Sequence, residues 1–276
     1  MARPGHLGLK GHLRITCSSD EQGKSYLSEK SFAVPIHISK PYWDGHALLV
    51  NLVSPTAGLL EGDKVECDVG VRSGASLVLT APAATRVHTM QGSDSARLVQ
   101  KFTIQGGGFL EYNPEPLILQ RDSAFSQHTR IDLEDGAELL FLENLLPGRI
   151  THGEAFEFAT FRNRLEIFRD GRPLIIENYH LSDDVTLRDW KAAFPEAGYA
   201  SFYSFSPTWK ENKPPIQEIE ALQTEDALIG MTQVDAEGWA VRILTATPIL
   251  LRQSIQAVRS LLLEASGRFV TDLRRL

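Results

Sequence analysis

Cysteine is nearly absent from this chain. Cys17 and Cys67 are the only two in 276 residues, which excludes a small disulfide framework, and there is no CxxC pair to hold zinc. A reducing compartment is the simplest expectation, and the cytoplasm is the expected location. No apolar run approaches the ~18 residues of a membrane-spanning helix. The opening residues Met1-Ala2-Arg3-Pro4-Gly5-His6 lack the apolar core of a secretion signal. Positive charge is in the minority. Lys and Arg number 28 against 35 Asp and Glu, a formal charge of −7 that disfavours a phosphate backbone as principal ligand. Enzyme signatures are missing as well: GxSxG, HExxH, the phosphate-loop GxxxxGK and a strand-linked GxGxxG do not occur. Gly106-Gly107-Gly108 has no Lys and no helix start behind it, so it reads as a turn. The eight histidines show no HxH or i, i+4 pair, so a metal site using them would have to assemble from distant segments.

What the chain does contain is β punctuation. A hydrophobic fraction of 42% and a charged fraction of 23% are ordinary for a globular protein, and the length suffices for a large core. From Gly11 to Glu177 short apolar or alternating runs are broken about every ten residues by Gly, Pro, Asn or Asp. Lys64 to Val71 and Ser126 to Leu133 alternate with period two, as half-exposed strands do. Leu139-Leu140-Phe141-Leu142 is apolar on both sides and belongs between layers. Similar turns precede the buried runs: Ser73-Gly74-Ala75, Gly106-Gly107-Gly108, Asp135-Gly136-Ala137 and Asp170-Gly171-Arg172. Their recurrence at roughly 30 residues predicts a mainly β fold of layered or wound sheets, a β-helix-like two-layer arrangement.

After Asn178 the texture changes. Ser182 to Gly198 is charged and helix-tolerant, Ser206 to Pro215 reads as a loop, and Ile216 to Glu225 as a short helix. A hairpin follows, Leu228 to Val234 and Trp239 to Thr245. The last helix is the clearest: Thr247 suits the N-cap and Pro248 the first turn, with Leu251, Ile255, Val258 and Leu262 on one stripe and Arg252, Gln256 and Arg259 on the other face. The expected organisation is a layered β domain over 1–180 and a C-terminal part over 181–276 packed on the same core, one structural domain in all.

Within the buried runs an acid recurs: Leu110-Glu111-Tyr112, Leu142-Glu143-Asn144 and Ile176-Glu177-Asn178, at steps of 32 and 34 residues. One period earlier the slot holds Thr80. A carboxylate in an apolar strand costs several kcal/mol unless a donor or cation meets it. An acid at the end of a strand often turns to solvent; the joint recurrence of Glu111, Glu143 and Glu177 points to a line of carboxylates that handles something positive. Cages of oxygens suit Mg²⁺ or Ca²⁺, whereas a few spaced carboxylates with waters would pass Ni²⁺ along without trapping it.

Several segments resemble the urease accessory protein UreD family, called UreH in some bacteria. Ser54 to Asp63, SPTAGLLEGD, is followed by a strand, Gly74-Ala75, a second strand and Ala83-Ala84-Thr85-Arg86-Val87 in the family's order. Leu110 to Leu119, LEYNPEPLIL, is similar to its Leu-Glu-aromatic-x-Pro-x-Pro segment. Thr129 to Gly136, Glu143 to Phe156 with Pro147-Gly148-Arg149 and His152-Gly153-Glu154, and Asn163 to Leu174 resemble its centre. The resemblance spans roughly Leu13 to Glu177 and reappears weakly in the final hairpin and helix. It departs at Glu61, where a small residue is common, at His88, where an aromatic is common, and over Ser182 to Asn212.

The resemblance implies a non-enzymatic scaffold of largely β, two-layered, wound fold. Such proteins bind UreF and, through it, the GTPase UreG, dock on apo-urease and help deliver nickel to its metallocentre, with an internal wet route for the metal. No tightly bound cofactor is expected, only Ni²⁺ in transit. Asp63, Glu143 and Glu177 match family positions expected to line that route, and Glu111 joins them from the recurrence. Two other classes compete. A β-rich metal- or acid/base-dependent enzyme predicts a closed pocket holding a converged titratable pair. A pure interaction module predicts that the glutamates all face solvent.

Overall fold

The computed structural model describes residues 8–182 and 185–273. The stretch Met1 to His6 and the end Arg274-Arg275-Leu276 lie outside the described residues. The strands run β1 (Lys10–Ser19), β2 (Ser25–Ala33), β3 (His37–Ile38), β4 (Tyr42–Asp44), β5 (Ala47–Val53) and β6 (Lys64–Val71). Next come β7 (Ser76–Ala81), β8 (Thr85–Val87), β9 (Ala96–Ile104), β10 (Phe109–Pro114), β11 (Leu117–Leu119), β12 (Ala124–Leu133) and β13 (Glu138–Leu146). Then follow β14 (Thr160–Arg169), β15 (Arg172–Ser182), helix α1 (Val185–Ala193), β16 (Gly198–Phe205), α2 (Ile216–Glu220), β17 (Ala227–Asp235), β18 (Gly238–Thr245) and α3 (Pro248–Ala265).

Successive strands alternate between two sheets. One is seven-stranded in the order β15-β14-β12-β9-β6-β1-β2; the other is eleven-stranded, with β17-β18-β16-β13-β10-β7-β5-β3 as its main path. Pairs β6/β9, β9/β12 and β12/β14 are parallel in the first sheet, as are β7/β10 and β10/β13 in the second. The middle is therefore a β-solenoid-like stack of coils, as the turn recurrence predicts. Antiparallel strands finish both ends: β2 on β1, β15 on β14, and β16 to β18 on β13.

Glycine makes the coil corners. Gly74, Gly107 and Gly136 all sit at φ of 72–73°, a left-handed conformation that a Cβ would strain. The corners stack, since the Gly74 N–H donates to the Gly107 carbonyl at 3.3 Å and the Gly107 N–H to the Gly136 carbonyl at 3.0 Å. The fourth expected corner, at Gly171, is instead the tight turn of the β14–β15 hairpin.

The core between the sheets draws on the period-two faces: Val65, Cys67, Val69 and Val71 of β6 belong to the same buried cluster as Leu139 and Phe141 of β13. Leu140 and Leu142, on the other face of β13, pack under α3 with Leu251, Val258, Leu262 and Leu263. The apolar-on-both-sides reading of residues 139–142 thus holds. Thr247 caps α3, its hydroxyl accepting the Leu250 N–H at 3.3 Å.

Three sequence expectations change. Residues 199–205, assigned to no element, form β16, which joins β13 to the terminal hairpin. The helix begun at Ile216 ends at Glu220 rather than Glu225. Arg259, placed on the polar face of α3, is buried against the sheet because Glu111 offers it a carboxylate there.

Candidate functional site

Inward-facing residues of neighbouring strands line up in rows across each sheet. In the seven-stranded sheet one row is Leu98, Gln127, Asn163 and Tyr179, and the next is Cys67, Gln100, Thr129, Leu165 and Glu177. Facing them, Tyr112, Phe141 and Tyr203 form one row and Glu143, Ser201 and Arg242 the next. Polar side chains thus gather at one end of an otherwise apolar interior.

Glu143 is the centre of that cluster. Gln127 Nε2 donates to its Oε1 at 2.9 Å, and Asn163 Nδ2 lies 3.4 and 3.3 Å from its two oxygens. Burial pushes its carboxyl up to about 7, against the lowering effect of those two amides and of the Arg242 charge. Arg242 sits two strands away in the same row and forms an ion pair with Glu177, which reaches across from the other sheet. Burial depresses the Arg242 guanidinium while Glu143 supports it. Burial also raises Tyr179, Tyr203 and Tyr199 around the cluster, so these phenols stay neutral. Asn163 Oδ1, Tyr203 Oη and Arg242 Nη1 are buried here without a protein partner.

Two cavities adjoin in this interior. One, of about 60 Å³, is lined by Gln127, Glu143, Asn163, Tyr179 and Tyr199 among others. Gln127, Glu143 and Asn163 give it a polar side in a mostly apolar lining, and it has room for several waters. The other, of about 290 Å³, is lined by Ile36, Leu52, Val65, Cys67 and the segments around Ser54–Leu59 and Ala83–Arg86. Its rim residues Val53, Ser54, Ala57, Ala83 and Arg86 are exposed, so it opens at the surface. Thr85, Leu98, Gln100, Tyr112 and Pro114 line both. Within the larger cavity Cys67 is a buried thiol pushed up to about 12, far from the thiolate a metal would want.

The structure does not bring the four expected acids together. Glu143 and Glu177 share the cluster through Arg242. Glu111 points to the opposite face of its sheet, where Arg259 Nη2 donates to its Oε2 at 3.1 Å and Nε to its Oε1. Asp63 is a loop clamp: its oxygens accept the backbone N–H groups of Leu9 and Leu60, each at 2.8 Å. Both are saturated by the protein and neither lines the two cavities. Among the described residues no three His, Cys, Asp or Glu side chains lie close enough to cage a metal. Missed from the sequence were Gln127, Asn163 and Arg242. Only the polar positions inside inward-facing runs marked them.

Comparison with known proteins decides the lineage. Residues 9–274 match the family model described as UreD urease accessory protein. This chain belongs to the UreD family. It is 34% identical to the urease accessory protein UreD of Opitutus terrae, over 98% of this chain and 100% of the relative. It is 29% identical to UreD of Acetivibrio thermocellus, over 87% of this chain and 92% of that one. UreD of Haemophilus influenzae is 29% identical over 86% of this chain and 96% of its own. Membership assigns the chain a role in urease maturation alongside that machinery, and the relatives are named as accessory proteins rather than enzymes. Among the described residues no helix is long and apolar enough to cross a membrane. The UreD-like segments Ser54–Leu59 and Ala83–Arg86 wall the larger cavity. Of the departures, His88 touches this wall, its ring contacting the Ala57 carbonyl at 2.9 Å, while Glu61 accepts backbone N–H groups of Gln91, Gly92 and Asp94.

Proposed function

We propose that this UreD-family chain is a cytoplasmic maturation scaffold that binds UreF and, through it, the GTPase UreG. It docks that assembly on apo-urease and lets Ni²⁺ pass through its own interior to the metallocentre. The observation that carries the reading is Glu143, an inward carboxylate lining a small chamber that adjoins a larger cavity opening at the surface.

One carboxylate flanked by neutral amides holds a divalent ion weakly, because affinity rises with the number and charge of ligands. Arg242 weakens it further by placing a positive charge in the same row. Glu177, already paired with Arg242, is a second shallow contact on the far side. Asp63 and Glu111 keep structural roles in this scheme. The exposed side chains Ile249, in the first turn of the terminal helix, and Phe269, beyond its last turn, offer apolar surface for UreF to cover.

At Glu143, volume argues against the enzyme reading. A chamber of about 60 Å³ falls well short of the roughly 300 Å³ or more typical of small-molecule sites. The larger cavity presents Cys67, Tyr112 and Arg86, and burial pushes the first two upward, away from proton transfer near neutral pH.

The test is Glu143→Gln, which keeps the acceptor for Gln127 and removes the charge. Nickel-dependent activation of urease by the full accessory complex should fall, while UreF still co-purifies with the variant. Activation equal to that of the unmodified chain would count against the passage, and loss of UreF capture by the unmodified chain against the scaffold.

A further inference from the structure

We propose that Gln100 and Tyr112 form the constriction that decides what crosses between the two chambers, an inference that rests on the passage reading above. Both residues line both cavities, so the boundary between them runs through this pair. Gln100 belongs to β9 of the seven-stranded sheet and Tyr112 to β10 of the eleven-stranded sheet. Gln100 Nε2 donates to Tyr112 Oη at 3.2 Å, so their bond spans the interior from sheet to sheet.

The two partners differ in freedom. Tyr112 is a fixed post: its ring stacks on Phe141 at 4.9 Å and lies 5.2 Å from Phe102. Gln100 is a flexible arm of three torsions, whose Oε1 accepts from Thr129 Oγ1, also at 3.2 Å. Both bonds sit at the long end of the hydrogen-bond range, where little is lost when the arm swings aside. The boundary carries no charge; its amide and phenol are both neutral near pH 7, and the carboxylates Glu115 and Glu143 line the smaller chamber beyond. Selection at this point is therefore by size and by oxygen donors. Waters and a partly hydrated small cation can exchange ligands with Gln100 Oε1 and Tyr112 Oη, whereas anything as bulky as an organic chelate is stopped.

The experiment measures the residence time of interior waters in the full-length chain by magnetic relaxation dispersion. It compares Tyr112→Phe, which keeps the stacked ring, Gln100→Asn, whose amide is too short to reach, and the double variant. Each single change should shorten the longest residence time by about five- to tenfold, the worth of one ordinary hydrogen bond. The double should go no further than Gln100→Asn alone, because that change already breaks the bond that Tyr112→Phe removes, along with the one to Thr129. Unchanged residence times in the singles, or effects that multiply in the double, would overturn the constriction. Urease activation by the complete accessory complex is read alongside. Lower activation with Glu143→Gln but unaltered water exchange in the constriction variants sinks the constriction and leaves the passage. Faster water exchange with activation indifferent to all four variants leaves the constriction as a water valve and sinks the passage.

Discussion

Glu111 and Glu143 lie on adjacent parallel strands yet point to opposite faces of one sheet. The residue paired with Glu111 is Leu140, and Glu143 stands three positions beyond it. An odd offset flips a strand side chain to the other face. One acid therefore meets Arg259 beneath the terminal helix, and the other enters the interior.

The Glu111–Arg259 pair should be costly to halve and cheap to replace. Both groups are buried, so Arg259→Met alone leaves a carboxylate without its cation, a loss of about 3–5 kcal/mol. Glu111→Leu combined with Arg259→Met restores an apolar contact and should come within about 1 kcal/mol of the parent. Urea denaturation of the two variants checks this, and equal losses would contradict it.

Stability should depend on pH through Glu143. Its folded carboxyl is raised from 4.5 to about 7, so the native state holds a proton there that the unfolded chain gives up. Its contribution is full below pH 4.5 and is lost as pH rises through 7. Relative to Glu143→Gln, the parent should lose on the order of 3 kcal/mol across that window and then level off. Parallel stability profiles from pH 4.5 to 8 would show the carboxyl to be unperturbed.

Neither cysteine should react in the native state. Burial pushes Cys17 and Cys67 each up to about 12, which leaves almost no thiolate at pH 8. Iodoacetamide at pH 8 should label the chain only after denaturation, at both positions, as mass spectrometry would record. Prompt native labelling of Cys67 would mean that the larger cavity admits solvent to the thiol far more freely than its packing shows.

Much of the architecture was readable from residue order. Period-two alternation in Lys64–Val71 fixes which side chains face inward whatever surrounds the strand, and Gly74, Gly107 and Gly136 mark corners because few other residues tolerate their φ. Thr247 and Pro248 start a helix for equally local reasons. β16 was not readable. Its sequence GYASFYSF is buried on nearly every side chain, so no alternating pattern sets it apart from a buried helix segment.

Local chemistry along the chain determined the coils, their corners and the terminal helix, because each depends on neighbours only a few residues away. Tertiary structure alone decided the fate of the recurring acids. The coils are unequal: Arg97 pairs with Lys64 at a distance of 33 residues, Phe125 with Ala96 at 29, and Thr160 with Ala124 at 36. A near-constant spacing of glutamates therefore does not place them on one line, and strand register, set by how each coil closes on the last, sends Glu143 inward and Glu111 out.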